Sequence, residues 1–276
     1  MRLVLLGGTA WLGRTIAAVA VGHGHEVTCL ARGDSGHVPT KARFVRADRD
    51  RDDAYDGVAG ERWDAVIDVA RQPGHVRRAV ATLESVVGRY LFVSSVNVYA
   101  SQRELDQDED APLLPPLASD VMASMEQYGE AKVACEQAVT AAFGAARTLI
   151  ARAGLIGGPG DWSGRSGYWP WRFARSSNSG RAVLVPDAPD LPTAVIDVRD
   201  VASRRSHISN APRGSPTRRS STTRTKKGPS LGTKPRPNGS SAGSKSSTSS
   251  RSHRPKALRC RRYRGRSSWP AQLPTG

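Results

Sequence analysis

Residues 3–14 read Leu3-Val4-Leu5-Leu6-Gly7-Gly8-Thr9-Ala10-Trp11-Leu12-Gly13-Arg14, an apolar run that breaks on two glycines and resumes with the period of a helix. The run is too short for a core helix and ends in residues that permit a tight turn, so it reads as a buried strand entering a βα unit. The same alternation continues outward from it. Short runs rich in β-branched residues follow at Glu26–Ala31, Arg43–Val45, Ala65–Val69, Tyr90–Ser94 and Thr148–Ala151. Between them, Trp11–Val21, Val76–Val87 and Tyr128–Phe143 put Ala, Val, Ile and Leu on one face at helical spacing. Strands alternating with helices predict a parallel sheet covered on both faces, because parallel neighbours need a right-handed crossover. The expected fold is therefore α/β, a doubly wound parallel sheet.

The 276 residues carry 41 Lys+Arg against 25 Asp+Glu, a formal +16, but this charge is concentrated at one end. Arg204 to Gly276 hold 19 Lys+Arg and no acid, which leaves residues 1–203 with 22 cations against 25 acids, a formal −3. The first 203 residues suffice for one sizeable domain. The last 73 contain 23 Ser+Thr, 8 Pro and 7 Gly, but only four residues from the set Val, Ile, Leu, Met and Phe: Ile208, Leu231, Leu258 and Leu273. So little apolar surface does not offset an ordering cost of about 1–2 kcal/mol per residue, and 204–276 are expected to be a disordered basic tail. No stretch reaches the roughly 18 consecutive apolar residues of a membrane span. Gly7-Gly8-Thr9 and Arg14 interrupt the apolar start before a secretory leader can form. Cys29, Cys135 and Cys260 are odd in number and far apart, which points away from a disulfide framework or a metal site. His23 and His25 are too isolated to bind metal. A cytoplasmic protein without membrane attachment or metal is expected; no feature sets its oligomeric state.

Three features carry chemistry. Glycine at the end of the first strand lets a pyrophosphate approach the backbone and sit at the N-terminus of the helix beginning near Trp11, although alone it fits an empty βα turn equally well. Tyr128-Gly129-Glu130-Ala131-Lys132 places a phenol and an ammonium one helical turn apart on the same face. Tyr90-Leu91-Phe92-Val93-Ser94-Ser95-Val96-Asn97-Val98-Tyr99 is a buried strand ending in hydroxyls at the carboxyl edge of the sheet, where open α/β sheets bind ligands.

In this order and spacing the pieces resemble the extended short-chain dehydrogenase/reductase superfamily, in particular its NAD-dependent epimerase/dehydratase branch. The resemblance spans roughly residues 1–202 and includes Asp48 after the third strand and Asp68-Val69-Ala70 ending the fourth. It continues through Glu136, one turn beyond Lys132, then Arg152-Ala153-Gly154-Leu155-Ile156-Gly157-Gly158-Pro159-Gly160-Asp161 and Val195-Ile196-Asp197-Val198-Arg199-Asp200. Ala10 stands where many members carry glycine, as in atypical short-chain reductases. The resemblance implies a Rossmann-like fold and a nicotinamide cofactor held by Gly7, Gly8, Thr9, Trp11, Leu12, Gly13, Ala70, Tyr128 and Lys132, with Asp48 beside the adenine. It further implies Tyr128 as general acid/base, Lys132 as the residue on the nicotinamide ribose, and Ser95 rather than Ser94 as the hydroxyl that holds the substrate oxygen. The implied reaction is hydride transfer at a carbinol or carbonyl carbon of a sugar nucleotide or similar small molecule.

The second strand ends in Leu30-Ala31-Arg32-Gly33 without the acid that would bind an adenosine ribose, and Arg32 suits a 2′-phosphate, so NADP is favoured over NAD. The competing reading of Arg32 is an exposed loop residue. Asp48 also fits an ordinary charge cluster in Asp48-Arg49-Asp50-Arg51-Asp52-Asp53. Tyr168-Trp169-Pro170-Trp171 suits either core packing or stacking on a substrate ring. At Ser203-Arg204-Arg205 the apolar pattern stops where the family builds its substrate lobe. The remainder reads as translation out of frame from a GC-rich gene, with a truncated or replaced lobe and impaired catalysis. The rival is a nucleotide-sensing module whose basic arm binds nucleic acid or another polyanion non-specifically, Tyr263 and Trp269 being its stacking surfaces. Retention of Ser95, Tyr128 and Lys132 together favours the enzyme.

Overall fold

In the computed structural model, which describes residues 1–104, 107–164, 167–179, 182–187, 193–208 and 260–263, strand β1 (Arg2–Leu6) enters helix α1 (Trp11–Gly22) as the glycine turn requires. With β2 (Glu26–Ala31), β3 (Arg43–Arg46), β4 (Trp63–Asp68), β5 (Val87–Ser95) and β6 (Thr148–Ala153) it forms a six-stranded sheet of order β3-β2-β1-β4-β5-β6. All five neighbouring pairs are parallel. A single turn, α2 (Asp56–Ala59), precedes β4, and α3 (Pro73–Leu83) and α4 (Tyr128–Arg147) supply the crossovers on either side of β5. Strand order reverses between β1 and β4, so a crevice opens outside the carboxyl ends of these two strands, the place where such sheets bind ligands.

Side-chain alternation in β1 divides the core. Val4 and Leu6 face a cluster with Val76 and Leu83 of α3 and Val139 and Phe143 of α4; Leu3 and Leu5 face the opposite layer with Ile16, Ala17 and Ala20 of α1. Helix α3 starts at Pro73 rather than at Val76, because proline at the first helical position presets φ and lacks an N–H that would go unpaired there. It ends at Leu83, since Val87 pairs with Trp63 and belongs to β5. Helix α4 runs past Phe143 to Arg147, with Gly144 at φ 65° interrupting its geometry.

Beyond β6, β7 (Leu155–Gly157) pairs in parallel with β9 (Val195–Asp197), which leads into α6 (Val198–Ile208). Val198, Val201 and Ala202 are buried, and the helix continues past residue 203, where the apolar pattern ends. A separate unit holds α5 (Tyr168–Ser179), β8 (Val183–Pro186) and β10 (Cys260–Tyr263), with β8 and β10 antiparallel. Most of 204–276, where composition predicts a disordered tail, lies outside the described residues. The described parts are the end of α6 and β10, whose pairing uses backbone groups and needs none of the aliphatic side chains this segment lacks.

Candidate active site

Gly7 has φ +101° and donates its N–H to Leu30 O at 2.9 Å, which folds the end of β1 back toward β2. A Cβ on Gly13 would lie 2.1 Å from Gly7 O, so only glycine lets α1 pack this closely on the turn. Ala10 precedes helix α1 as its N-cap and offers no capping side chain, and the first turn holds no acid. The helix end thus leaves backbone N–H groups for an anion. A cleft of about 510 Å³ opens here, lined by the turn, by Arg32 and Asp34 after β2, by Asp48, Arg49 and Asp50 after β3, and by Ala70, Arg71, Gln72 and His75 after β4. Its size suits a small-molecule ligand, and the pairing of an uncapped helix start with a glycine-walled cleft fits a dinucleotide.

Of the expected cofactor residues, Gly7, Thr9, Arg32, Asp48 and Ala70 line this cleft. Gly8 and Gly13 serve the turn from behind: a Cβ on Gly8 would meet the Cys29 side chain at 2.6 Å. The Trp11 indole turns away to donate to Pro159 O at 2.9 Å, and Leu12 packs against the core beneath α1. Arg32 is exposed and pairs with Asp34 at 3.3 Å.

The catalytic candidates gather at the ends of β5 and α4. Ser95 is the last residue of β5; its hydroxyl donates to Asn97 Oδ1 at 3.0 Å and accepts from the Asn97 N–H at 3.2 Å. Helix α4 approaches this turn so closely that a Cβ on Gly129 would stand 2.3 Å from Asn97 O. Glycine between Tyr128 and Lys132 is therefore what allows the helix carrying both residues to dock beside Ser95. Tyr128 is half-buried, and the Lys132 ammonium lies 5.9 Å from its ring centre. Lys132 itself is 2% exposed. Its Nζ donates to Ala70 O at 2.6 Å and Val93 O at 2.7 Å and stands 4.4 Å from the Phe92 ring. Burial pulls its pKa down to about 8, while Cys135, Asp68 and Glu136 act in the opposite direction.

Two buried carboxylates, each held by an arginine, flank this lysine. Asp68, ending β4, takes both guanidinium branches of Arg49 at 2.8 Å, the Ala70 N–H at 2.8 Å and the Tyr90 hydroxyl at 2.7 Å. Burial alone would raise its pKa, but the Arg49 charge and these bonds hold it below the ordinary aspartate value. Glu136 on α4 takes the Ser94 hydroxyl and a bidentate contact from Arg152, whose closest approach is 2.8 Å. Arg152 also reaches the Tyr99 hydroxyl at 3.3 Å and Glu109 O at 3.1 Å. Ser94 thus faces the interior and Ser95 the turn. Burial pushes the Cys29 and Cys135 thiols up to about 12, which keeps both unreactive.

Arg49 and Gly129 were not singled out from the sequence. Arg49 lies inside a run of alternating charges that reads as a solvated face, and nothing local distinguishes it from Arg51. The available signal was Asp68, an acid closing an otherwise apolar strand, since a buried charge demands a partner. Among the described residues no cluster of His, Cys, Asp or Glu could hold a metal ion, and no helix is long and apolar enough to cross a membrane.

The chain is similar to the UDP-glucose 4-epimerase of Corynebacterium glutamicum, with 26% identity over 186 residues that cover 58% of this chain and 53% of that protein. It therefore spans about half the length of this curated relative. Among solved structures, the UDP-glucose 4-epimerase of Thermus thermophilus in complex with NAD superposes with a TM-score of 0.58 at 17% identity, covering 77% of this chain and 76% of that one. The Bordetella bronchiseptica enzyme WbmH in complex with NAD+ gives 0.54 at 16%, covering 76% and 72%. At these identities the structural likeness is one of fold. The family model for the NAD dependent epimerase/dehydratase family matches residues 3–219, from the first strand through the cleft, both hydroxyl-bearing ends and α6. By that match the chain belongs to the NAD dependent epimerase/dehydratase family.

Proposed function

We propose that the chain is a sugar-nucleotide epimerase, dehydratase or oxidoreductase working by hydride transfer, with Tyr128, Lys132 and Ser95 as its catalytic set. The observation that carries this reading is Lys132. A lysine held in the interior by two backbone carbonyls, with its pKa drawn to about 8, is costly to the fold and has a use beside a ligand cleft. The UDP-sugar names of the relatives support the substrate class. A bound nicotinamide supplies the hydride acceptor and donor. Tyr128 takes or returns the proton of the reacting oxygen. An unperturbed phenol near pKa 10 is ionised in only about one molecule per thousand at pH 7, so Lys132 is needed nearby as a cation. The Ser95 hydroxyl holds the same oxygen, exchanging its bond to Asn97 for one to substrate.

The cofactor is proposed to be NADP in preference to NAD. Arg32 supports this, together with Arg46 and Arg51, which line a recess of about 440 Å³ next to the main cleft. Asp34 opposes it by pairing with Arg32, and Asp53 by pairing with Arg51 at 2.8 Å, with Asp48 also in the recess. We further propose that the globular part ends near residue 203 and that the acid-free segment beyond it replaces the family's substrate lobe, which leaves turnover low. Incubating the full chain with each dinucleotide and UDP-glucose or UDP-galactose tests the whole reading. Reduced nicotinamide absorbance should appear on the enzyme, and epimerised or oxidised sugar should be recovered. Cofactor binding without any hydride transfer to either sugar, in wild type and at high enzyme concentration, would refute the enzymatic reading and favour the nucleotide-sensing one.

A further inference from the structure

We propose that the Arg49–Asp68 pair is a positioning device for Lys132, acting through the backbone of Ala70; this rests on the reading of Lys132 as catalytic. Asp68 has all four acceptor sites filled: Oδ1 by Arg49 and the Ala70 N–H, Oδ2 by Arg49 and Tyr90. Tyr90 stays within the interior, while Arg49 and Ala70 both line the cleft; of these, Ala70 is the one whose carbonyl receives the Lys132 ammonium, at 2.6 Å. Ala70 is therefore gripped at its N–H by the aspartate and at its carbonyl by the lysine. Arg49 is itself immobilised by the Tyr55 hydroxyl at 2.8 Å and His75 O at 3.2 Å, and Tyr55 also donates to His75 O at 2.7 Å. The exit of β3, the end of β4 and the first turn of α3 thus converge on one residue of the cleft wall.

The fold has no need of such a pair. A buried ion pair can often be exchanged for apolar side chains of similar volume without loss of stability, because desolvation cancels its attraction. What apolar side chains cannot do is accept the Ala70 N–H. Lys132 has three donors and spends two on Ala70 and Val93, so a displaced Ala70 carbonyl re-aims the remaining one. Misplacement of a reacting group by about 1 Å can cost about 10²-fold in rate. The charged or titratable groups acting on Lys132 are Asp68 from β4, Arg71 from the turn after it, and Cys135 and Glu136 from its own helix, with the Tyr128 phenol one turn before it.

The test is the double variant Arg49→Met/Asp68→Leu, which leaves the formal net charge around Lys132 unchanged and removes the acceptor for the Ala70 N–H, together with the contacts of the pair to Tyr90, Tyr55 and His75. In the full chain labelled with ¹³C at lysine Cε, the Lys132 resonance, assigned from its absence in Lys132→Arg, is followed against pH without cofactor or substrate. The folded double variant should show a Lys132 midpoint lower by about one unit, from loss of a hydrogen bond to the charged form, with turnover down about 10²-fold. A folded double variant with the wild-type midpoint and turnover overturns the proposal. If circular dichroism shows it unfolded, Arg49→Leu/Asp68→Met takes its place, again without an acceptor for the Ala70 N–H; an unmoved Lys132 midpoint and turnover there overturn it equally. Wild-type turnover in Lys132→Met would instead break the catalytic reading, and the resonance would still report whether Asp68 positions the lysine.

Discussion

Asp68 and Glu136 are both carboxylates buried against an arginine within reach of Lys132, yet they fasten different things. Asp68 grips a backbone group of the cleft wall, so its influence passes toward the cleft. Glu136 grips side chains: the Ser94 hydroxyl and Arg152, which carries on to Tyr99 and Glu109. It fastens α4 to the ends of β5 and β6 and to the loop after Tyr99. One pair shapes a wall of the cleft; the other holds the helix that bears Tyr128 and Lys132. Similar burial and similar chemistry therefore do not imply similar roles, and the difference lies in whether the carboxylate's last donor belongs to the site or to the scaffold.

The largest expected effect removes the group that both pairs serve. Tyr128→Phe should lower turnover by roughly 10²–10⁴-fold, the usual range for positioned proton transfer, with dinucleotide affinity nearly unchanged in equilibrium titration. An active Tyr128→Phe enzyme would leave neither pair anything to position.

Breaking the pairs singly separates them. Glu136→Ala strands Arg152 in the interior and should cost about 3–5 kcal/mol in urea unfolding, while the folded fraction binds dinucleotide normally. Asp68→Ala should cost as much and weaken dinucleotide binding as well. Equal binding losses in the two variants would erase the distinction drawn between them.

A pH series sharpens the part played by Lys132. Its pKa in the folded chain, about 8, lies below the ordinary 10.5, so between these values the unfolded chain binds more protons and stability should rise with pH. Below pH 8 the folded protein carries a penalty on the order of 3 kcal/mol for keeping this ammonium buried. The difference in unfolding free energy between wild type and Lys132→Met should therefore grow in favour of wild type across that window. A flat difference would mean that Lys132 keeps its ordinary pKa. Turnover should fall over the same range as the cation beside Tyr128 is lost.

The smallest effect concerns the far end of the cleft from both carboxylates. Arg32→Ala should weaken NADP binding by about tenfold, the loss of one exposed charge-assisted contact, and leave NAD binding unchanged. No loss, or tighter NAD binding by wild type, would assign Arg32 to Asp34 alone.

The alternation of apolar runs and helical segments determined the sheet, because a strand buried on both faces must be continuously apolar and a crossover helix must show one apolar stripe. Gly7 and Gly13 disclosed the turn, and the Tyr128, Lys132 and Ser95 spacings disclosed the catalytic candidates, because each depends on neighbours within a few residues. Boundaries read less well: α3 begins at Pro73, since its first turn is set by proline geometry and by Asp120 O accepting the Gly74 N–H, a contact from a distant loop. The side chains of Trp11 and Leu12 go to Pro159 and to the core, contacts that their place in the glycine turn did not disclose. The roles of Arg49 and Gly129, and the bond of Lys132 to Ala70, arose only in three dimensions. Arg49 meets Asp68 across 19 residues, and Lys132 meets Ala70 across 62. At such separations no periodicity links the partners, and only the order of strands in the sheet brings them together.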